Sequence, residues 1–170
     1  MRRRKLYIFV EGHDDVWFFE RIVKPHLVHY YRRVFIIQHA RLSTKKKYNY
    51  IRSMHEMRAD YLFVVDIDYF PCVRAKKEDI VGYLRIIDSR AIVVVIKEIE
   101  SWYLAGIGNH RSRKLQLPVL ESTDDITKED FNALIPPKFR SRRDFMNELL
   151  KHYDITIAIQ KNKSFAYFWQ

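Results

Sequence analysis

The sequence predicts an α/β protein built on a doubly wound, mainly parallel sheet. Three observations lead there. Four short apolar runs, at residues 6–10, 34–37, 61–65 and 91–96, are rich in Val, Ile, Phe and Tyr, the side chains that suit a pleated surface. The runs are continuous rather than alternating, as in strands covered on both faces. The stretches between them carry helical spacing, and strand–helix alternation of this kind makes parallel βαβ units with right-handed crossovers.

Each element follows from its residues. Residues 14–27 place Val16, Phe19, Ile22 and Val23 on one helical stripe. Residues 44–58 are polar, with Tyr48, Ile51 and Met54 at helical intervals, and residues 76–87 space Ile80, Tyr83, Leu84 and Ile87 likewise. Residues 106–126 read as a long loop. Thr127-Lys128-Glu129-Asp130 has the pattern of a capped helix start, and Pro136-Pro137 ends that helix. Residues 141–153 suit another helix. Ile155, Ile157 and Ile159 alternate with Thr156, Ala158 and Gln160, as in a half-buried edge strand, and residues 161–170 remain as a short tail. The simplest organisation is one domain: an α/β core over 1–107, with a helical and edge-strand extension over 108–170 packed on it.

Composition narrows the function classes. The chain has 170 residues, 48% of them hydrophobic, with 4 Gly and 5 Pro, which excludes disordered and collagen-like chains. A single cysteine, Cys72, excludes an internal disulfide framework and a multi-cysteine zinc site, and it reads as structural. No apolar run approaches the roughly 18 residues of a membrane span. Met1-Arg2-Arg3-Arg4-Lys5 has the charge of a signal-peptide start, but only five apolar residues follow before Glu11, so a cytoplasmic protein is expected.

Lys and Arg total 31 against 21 Asp and Glu, a net charge of +10. Such a balance suits a phosphate-rich partner, and a nucleic acid, DNA or RNA, is expected. The basic clusters are Arg2 to Lys5, Arg32-Arg33, Lys45-Lys46-Lys47, Arg111 with Arg113 and Lys114, and Arg140 with Arg142 and Arg143; Lys161 and Lys163 join them. Several adjoin aromatics, such as Tyr30-Tyr31, Tyr48 and Tyr50, which can stack on bases while the cations neutralise phosphates.

In open parallel sheets ligands bind beyond the carboxyl ends of the strands. Three of the four apolar runs carry acids there: Glu11-Gly12-His13-Asp14-Asp15, Asp66-Ile67-Asp68, and Lys97-Glu98-Ile99-Glu100. Clustered carboxylates at a partly buried edge resist ionisation unless a positive charge offsets them. Mg²⁺ or Mn²⁺, a hard cation that takes oxygen ligands, is the natural partner. The i, i+2 spacing of Asp66 and Asp68 puts both on one side of an extended segment, able to share the ion. Gly12 would let the chain turn sharply, and Asp15 lies one helical turn past Glu11. His13 and His39 fall on the same edge but read as surface residues. No Gly-rich phosphate loop or nucleophile elbow is present.

The run Leu6-Tyr7-Ile8-Phe9-Val10-Glu11-Gly12-His13-Asp14-Asp15, followed by Phe63-Val64-Val65-Asp66-Ile67-Asp68, resembles the Toprim domain of topoisomerases, primases and the stand-alone or OLD-nuclease-like proteins. The resemblance spans about residues 5–105. It implies a Rossmann-like three-layer fold and a Mg-dependent nuclease or related phosphoryl transferase. Glu11 would be the general acid/base and a metal neighbour, Asp66 and Asp68 the metal ligands, and Asp15 a supporting residue. Glu98 or Glu100 would complete a second metal position. Many members carry a third Asp where this chain has Phe70. The chain is short for a whole topoisomerase or primase, so hydrolysis is expected rather than strand passage. Lys97, Lys161 and Lys163 are candidates for stabilising transition-state charge.

Other readings stay open. A non-catalytic nucleic-acid-binding Toprim module could serve within a larger assembly, beside a partner such as an ATPase. Val64-Val65-Asp66-Ile67-Asp68 also resembles the haloacid-dehalogenase phosphatase motif, with Lys97 and Asp124-Asp125 as later motifs. A phospho-receiver reading of Asp14-Asp15, Asp66 and Lys97 fails, because its lysine should follow a fifth strand.

Overall fold

The structure is a computed structural model that describes residues 4–170; Arg2 and Arg3 of the amino-terminal basic cluster lie outside them. The chain forms two compact units, Met1–Val94 and Val95–Gln170.

The first unit runs β1 (Lys5–Val10), α1 (His13–Phe18), a π-helical turn (Phe19–Val23), α2 (Lys24–Leu27), β2 (Arg33–Gln38), α3 (Thr44–Glu56), β3 (Asp60–Asp66), α4 (Val73–Leu84), a 3₁₀ turn (Ser89–Ala91) and β4 (Ile92–Val95), whose last residue crosses the division. The four strands form one parallel sheet in the order β2-β1-β3-β4. Ile8 of β1 lies opposite Ile36 of β2 and Leu62 of β3. All four expected strands and the three expected helices between them are present. The 14–27 helix is interrupted at its centre. Pro25 would clash with the carbonyl of a regular preceding turn, and the π-helical turn just before it widens the backbone there.

The apolar periodicity is used as the sequence indicates. Ile51 and Met54 of α3, and Ile80 and Leu84 of α4, pack with Phe9, Phe63, Val65, Ile92 and Val94 of the strands. Those residues are at most 6% exposed, and each fully buried large side chain contributes roughly 1.5–3 kcal/mol. Ser43 starts α3 by accepting a hydrogen bond from the Lys46 amide, which fixes where the Lys45-Lys46-Lys47 turn begins.

The second unit is helical: α5 (Ile99–Ala105), α6 (Asn109–Leu115), α7 (Lys128–Ala133), α8 (Arg142–Lys151), α9 (Ile155–Lys161) and α10 (Lys163–Trp169). Helices α7 and α8 match expectation, with Thr127 and Asp130 forming a reciprocal capping box. Three expectations fail. The 106–126 stretch contains α6, which begins after Gly108 and ends at Gln116 in a left-handed conformation, φ 64°. Residues 155–160 form a helix, not an edge strand, because the Asp154 carboxylate caps the amides of Thr156 and Ile157; a local cap outweighs the β preference of three isoleucines. The tail is helical as well, started by Asn162, whose side chain accepts from the Phe165 amide. Among the described residues no helix is long and apolar enough to cross a membrane.

Candidate functional site

The strand order creates a crevice at a definite place. From β1 the chain moves to β2 on one side, then crosses to β3 on the other. Connections therefore diverge beyond the carboxyl ends of β1 and β3, the switch point where open α/β sheets bind ligands. Glu11 is the first residue past β1 and Asp66 is the last of β3. They meet there: Glu11 Oε1 accepts the Asp66 backbone N–H at 3.1 Å. Burial raises the Glu11 pKa above its ordinary value, and the neighbouring Asp68 adds to the rise; the Asp66 amide and the cations Lys76 and Lys47 act the other way.

Asp15 and Gly12 have narrower roles than the sequence indicates. Asp15 is buried, and its Oδ2 accepts the Gly12 N–H at 3.1 Å, closing the first turn of α1. Gly12 has φ −114°, an ordinary extended value, so no sharp turn requires it. A Cβ at this position would lie 3.2 Å from Asp15 Oδ2, a tight contact that the Asp15 side chain would have to relieve by a few tenths of an ångström.

Asp66 and Asp68 do not lie along one extended segment. The strand ends at Asp66, and Asp68 takes φ 51°, in the left-handed region. The turn aims the Asp68 carboxylate at Lys76 of α4, and the two form an ion pair at 2.5 Å. Lys76 Nζ also sits over the Phe70 ring, 5.0 Å from its centroid. The sequence reading missed Lys76, although a signal was there. It follows Val73 by three residues and precedes Ile80 by four, so it falls on the buried stripe of α4.

Two more residues of the edge behave differently from expectation. His39 is buried, not a surface residue. Its backbone N–H donates to Val10 O at 2.8 Å, its Nε2 to Val64 O at 2.9 Å, and its ring stacks on Phe63 with centroids 4.3 Å apart. Burial lowers its pKa to about 4, so the ring is neutral near pH 7. The carbonyl can only accept, so Nε2 carries the proton; Nδ1 is a buried acceptor without a hydrogen-bond partner among the described residues. Lys47, half-buried on α3, has its pKa lowered by burial and lies within electrostatic reach of Glu11 and Lys76. His13 is exposed, as is Cys72, so the thiol has no place in the core.

The remaining candidates divide. Lys45 and Lys46 are exposed on α3. Lys46 joins Leu42, Asn49, Tyr50 and Ser53 around an open cavity of about 340 Å³. In the second unit Glu98 Oε2 accepts the Lys128 N–H at 2.6 Å and so caps α7. Glu100 is buried and paired with Arg142, whose guanidinium also bonds Asn132 and covers the Phe131 ring. Arg142 is thus engaged with neighbours in its own unit. Lys161 likewise donates to Ile107 O and Asn109 Oδ1, while Lys163 is exposed beside Asp124, 3.6 Å away. Lys97 is exposed with φ 62°. Arg113, Arg140 and Arg143 are exposed and Arg111 is half-buried.

The donor chemistry can be tested against a divalent cation. Among the described residues no three His, Cys, Asp or Glu side chains gather into a metal-holding group. Mg²⁺ does not need such a cage, since it is held by one or two carboxylates together with water and substrate phosphate. Glu11 and Asp66 stand on neighbouring strand ends, joined through the Asp66 backbone N–H, while Asp68 is engaged by Lys76. Comparison with known protein families, characterised proteins and solved structures finds no match for this chain.

Proposed function

We propose that the β1/β3 crevice is the active site of a metal-dependent nuclease, or a related phosphoryl-transfer enzyme, of Toprim type. The observation that carries the reading is the meeting of Glu11 with Asp66 at the switch point, with the Glu11 carboxyl held desolvated. A carboxyl with a raised pKa is suited to take and return a proton nearer neutral pH. Oε1 is occupied by the Asp66 amide, so Oε2 is the oxygen that exchanges a proton with the attacking water or the departing hydroxyl. Asp66, with Glu11 or Asp68 beside it, would hold Mg²⁺ or Mn²⁺, which supplies charge stabilisation for the phosphodiester oxygens when bound.

The surroundings support a polyanionic substrate. Lys47 and Lys76 place positive charge beside Glu11. Tyr69 is 88% exposed and stacked on Phe70 at 4.7 Å, a platform of the kind on which unpaired bases stack. Glu98 and Glu100 are left out of the proposed metal set because α7 and Arg142 already occupy them.

The test is cleavage of single-stranded DNA, duplex DNA and RNA with Mg²⁺ and Mn²⁺. Native protein should cleave at least one, and Glu11→Gln should lose on the order of a hundredfold to ten-thousandfold of the rate. Asp66→Asn should lose activity and metal dependence together. Binding by the native chain without cleavage of any substrate would favour the non-catalytic module.

A further inference from the structure

Lys76 is in an expensive place. Its side chain is only 9% exposed, and it stands in the first turns of α4, where the helix dipole disfavours a cation. The folded chain retains it by giving it two partners, the Asp68 carboxylate and the face of Phe70. Asp68 in turn adopts a left-handed backbone that L-residues enter at some cost. Yet 48% of the Asp68 side chain remains open to solvent, so an aqueous ion can reach it without opening the core. An ammonium therefore sits on the carboxylate that a divalent cation would share with Asp66.

We infer that Lys76 is a tethered competitor for that cation: a divalent ion engages Asp68 only by displacing the Lys76 ammonium from it. The inference rests on the metal reading given above and adds the residue that sets the ion's affinity. It also accounts for the lack of a three-carboxylate group among the described residues, since Asp68 faces Lys76. A lysine on the ligand raises the ion concentration needed to load the site. Once displaced, the ammonium stays tethered to α4 beside Asp68 and Glu11, where a phosphate would be met.

The experiment measures Mn²⁺ binding to the nucleic-acid-free protein by paramagnetic resonance of the free ion, for the native chain, Lys76→Met and Asp68→Asn. Lys76→Met should bind Mn²⁺ about tenfold more tightly than native, the scale of one charged hydrogen bond no longer needing to break. Asp68→Asn should bind more weakly. In parallel, acylation of native protein at fixed pH, read by mass spectrometry, should label Lys76 severalfold faster when Mn²⁺ is present, with exposed Lys45 unchanged. Equal or weaker Mn²⁺ binding by Lys76→Met, or unchanged Lys76 labelling at Mn²⁺ saturation, overturns the competition and leaves the metal site standing. Absence of Mn²⁺ binding in native and Lys76→Met alike removes the metal reading as well. If Lys76→Met does not fold, the labelling of the native chain decides alone.

Discussion

Glu11 follows the first apolar run and Glu100 the fourth, and the two units treat them in opposite ways. Glu100, with a side chain 5% exposed, is matched by Arg142, and Glu98 beside it is spent on the start of α7. Glu11 has an amide for a partner and neighbouring lysines at longer range, and it is held where ionisation is unfavourable. In the second unit acidic residues complete the structure. In the first, Glu11 sits at a crevice with an amide rather than a cation against it, a condition under which a carboxyl becomes chemically useful. The residue type is the same in both places; the difference lies in which partner the fold brings up, a backbone amide for Glu11 and a guanidinium for Glu100.

The comparison is sharpest at Arg142. Arg142→Met leaves a buried Glu100 without its counter-charge and should cost about 3 kcal/mol in denaturant unfolding of the second unit. A cost below about 1 kcal/mol would show that Glu100 does not depend on that pair.

Next in size is a pH effect confined to the first unit. His39 has a folded pKa of about 4 against 6.5 in the unfolded chain, so the unfolded state binds the proton first. Its contribution is complete above pH 6.5 and is lost as pH falls toward 4, roughly 3 kcal/mol in all. Amide exchange of β1 and β3 at pH 7, 5.5 and 4.5 should reveal the loss. In His39→Phe the dependence over that range should flatten, and an unchanged slope would assign it to other groups.

A smaller effect tests the second unit's use of acids as caps. Thr127→Ala removes the hydroxyl that accepts the Asp130 amide and should cost about 1 kcal/mol by denaturation, with α7 amides exchanging faster.

The smallest is expected at Glu11 itself. Its pKa is raised in the fold, so its ionised form is disfavoured there: stability is fully present below the ordinary value of 4.5 and declines as pH rises above it. Glu11→Gln should therefore match or slightly exceed native stability at pH 7, by less than about 1 kcal/mol, and lose that advantage below pH 4.5. A destabilisation as large as that of Arg142→Met would place Glu11 among the structural acids and break the contrast.

Much of the first unit was legible in the residues. The continuous apolar runs gave the strands, and their Val, Ile and Phe content reflects burial on both faces. Glu11 and Asp66 could be singled out because a charge immediately after such a run must sit at the sheet edge. The second unit was less legible because short helices there are started by single capping side chains. Asp154 and Asn162 each override a local pattern that by itself reads as strand or tail.

The sequence by itself determined the alternation of strands and helices, the parallel sheet and the list of acids at strand ends, since these depend on periodicity and burial along the chain. Only the tertiary structure decided that β1 lies next to β3, which joins Glu11 to Asp66 across 55 residues of sequence. It also decided that Asp68 turns away to Lys76, while Glu100 finds Arg142. The physical reason is that a carboxylate's role depends on the charges within a few ångströms of it, and those come from parts of the chain that no local pattern connects.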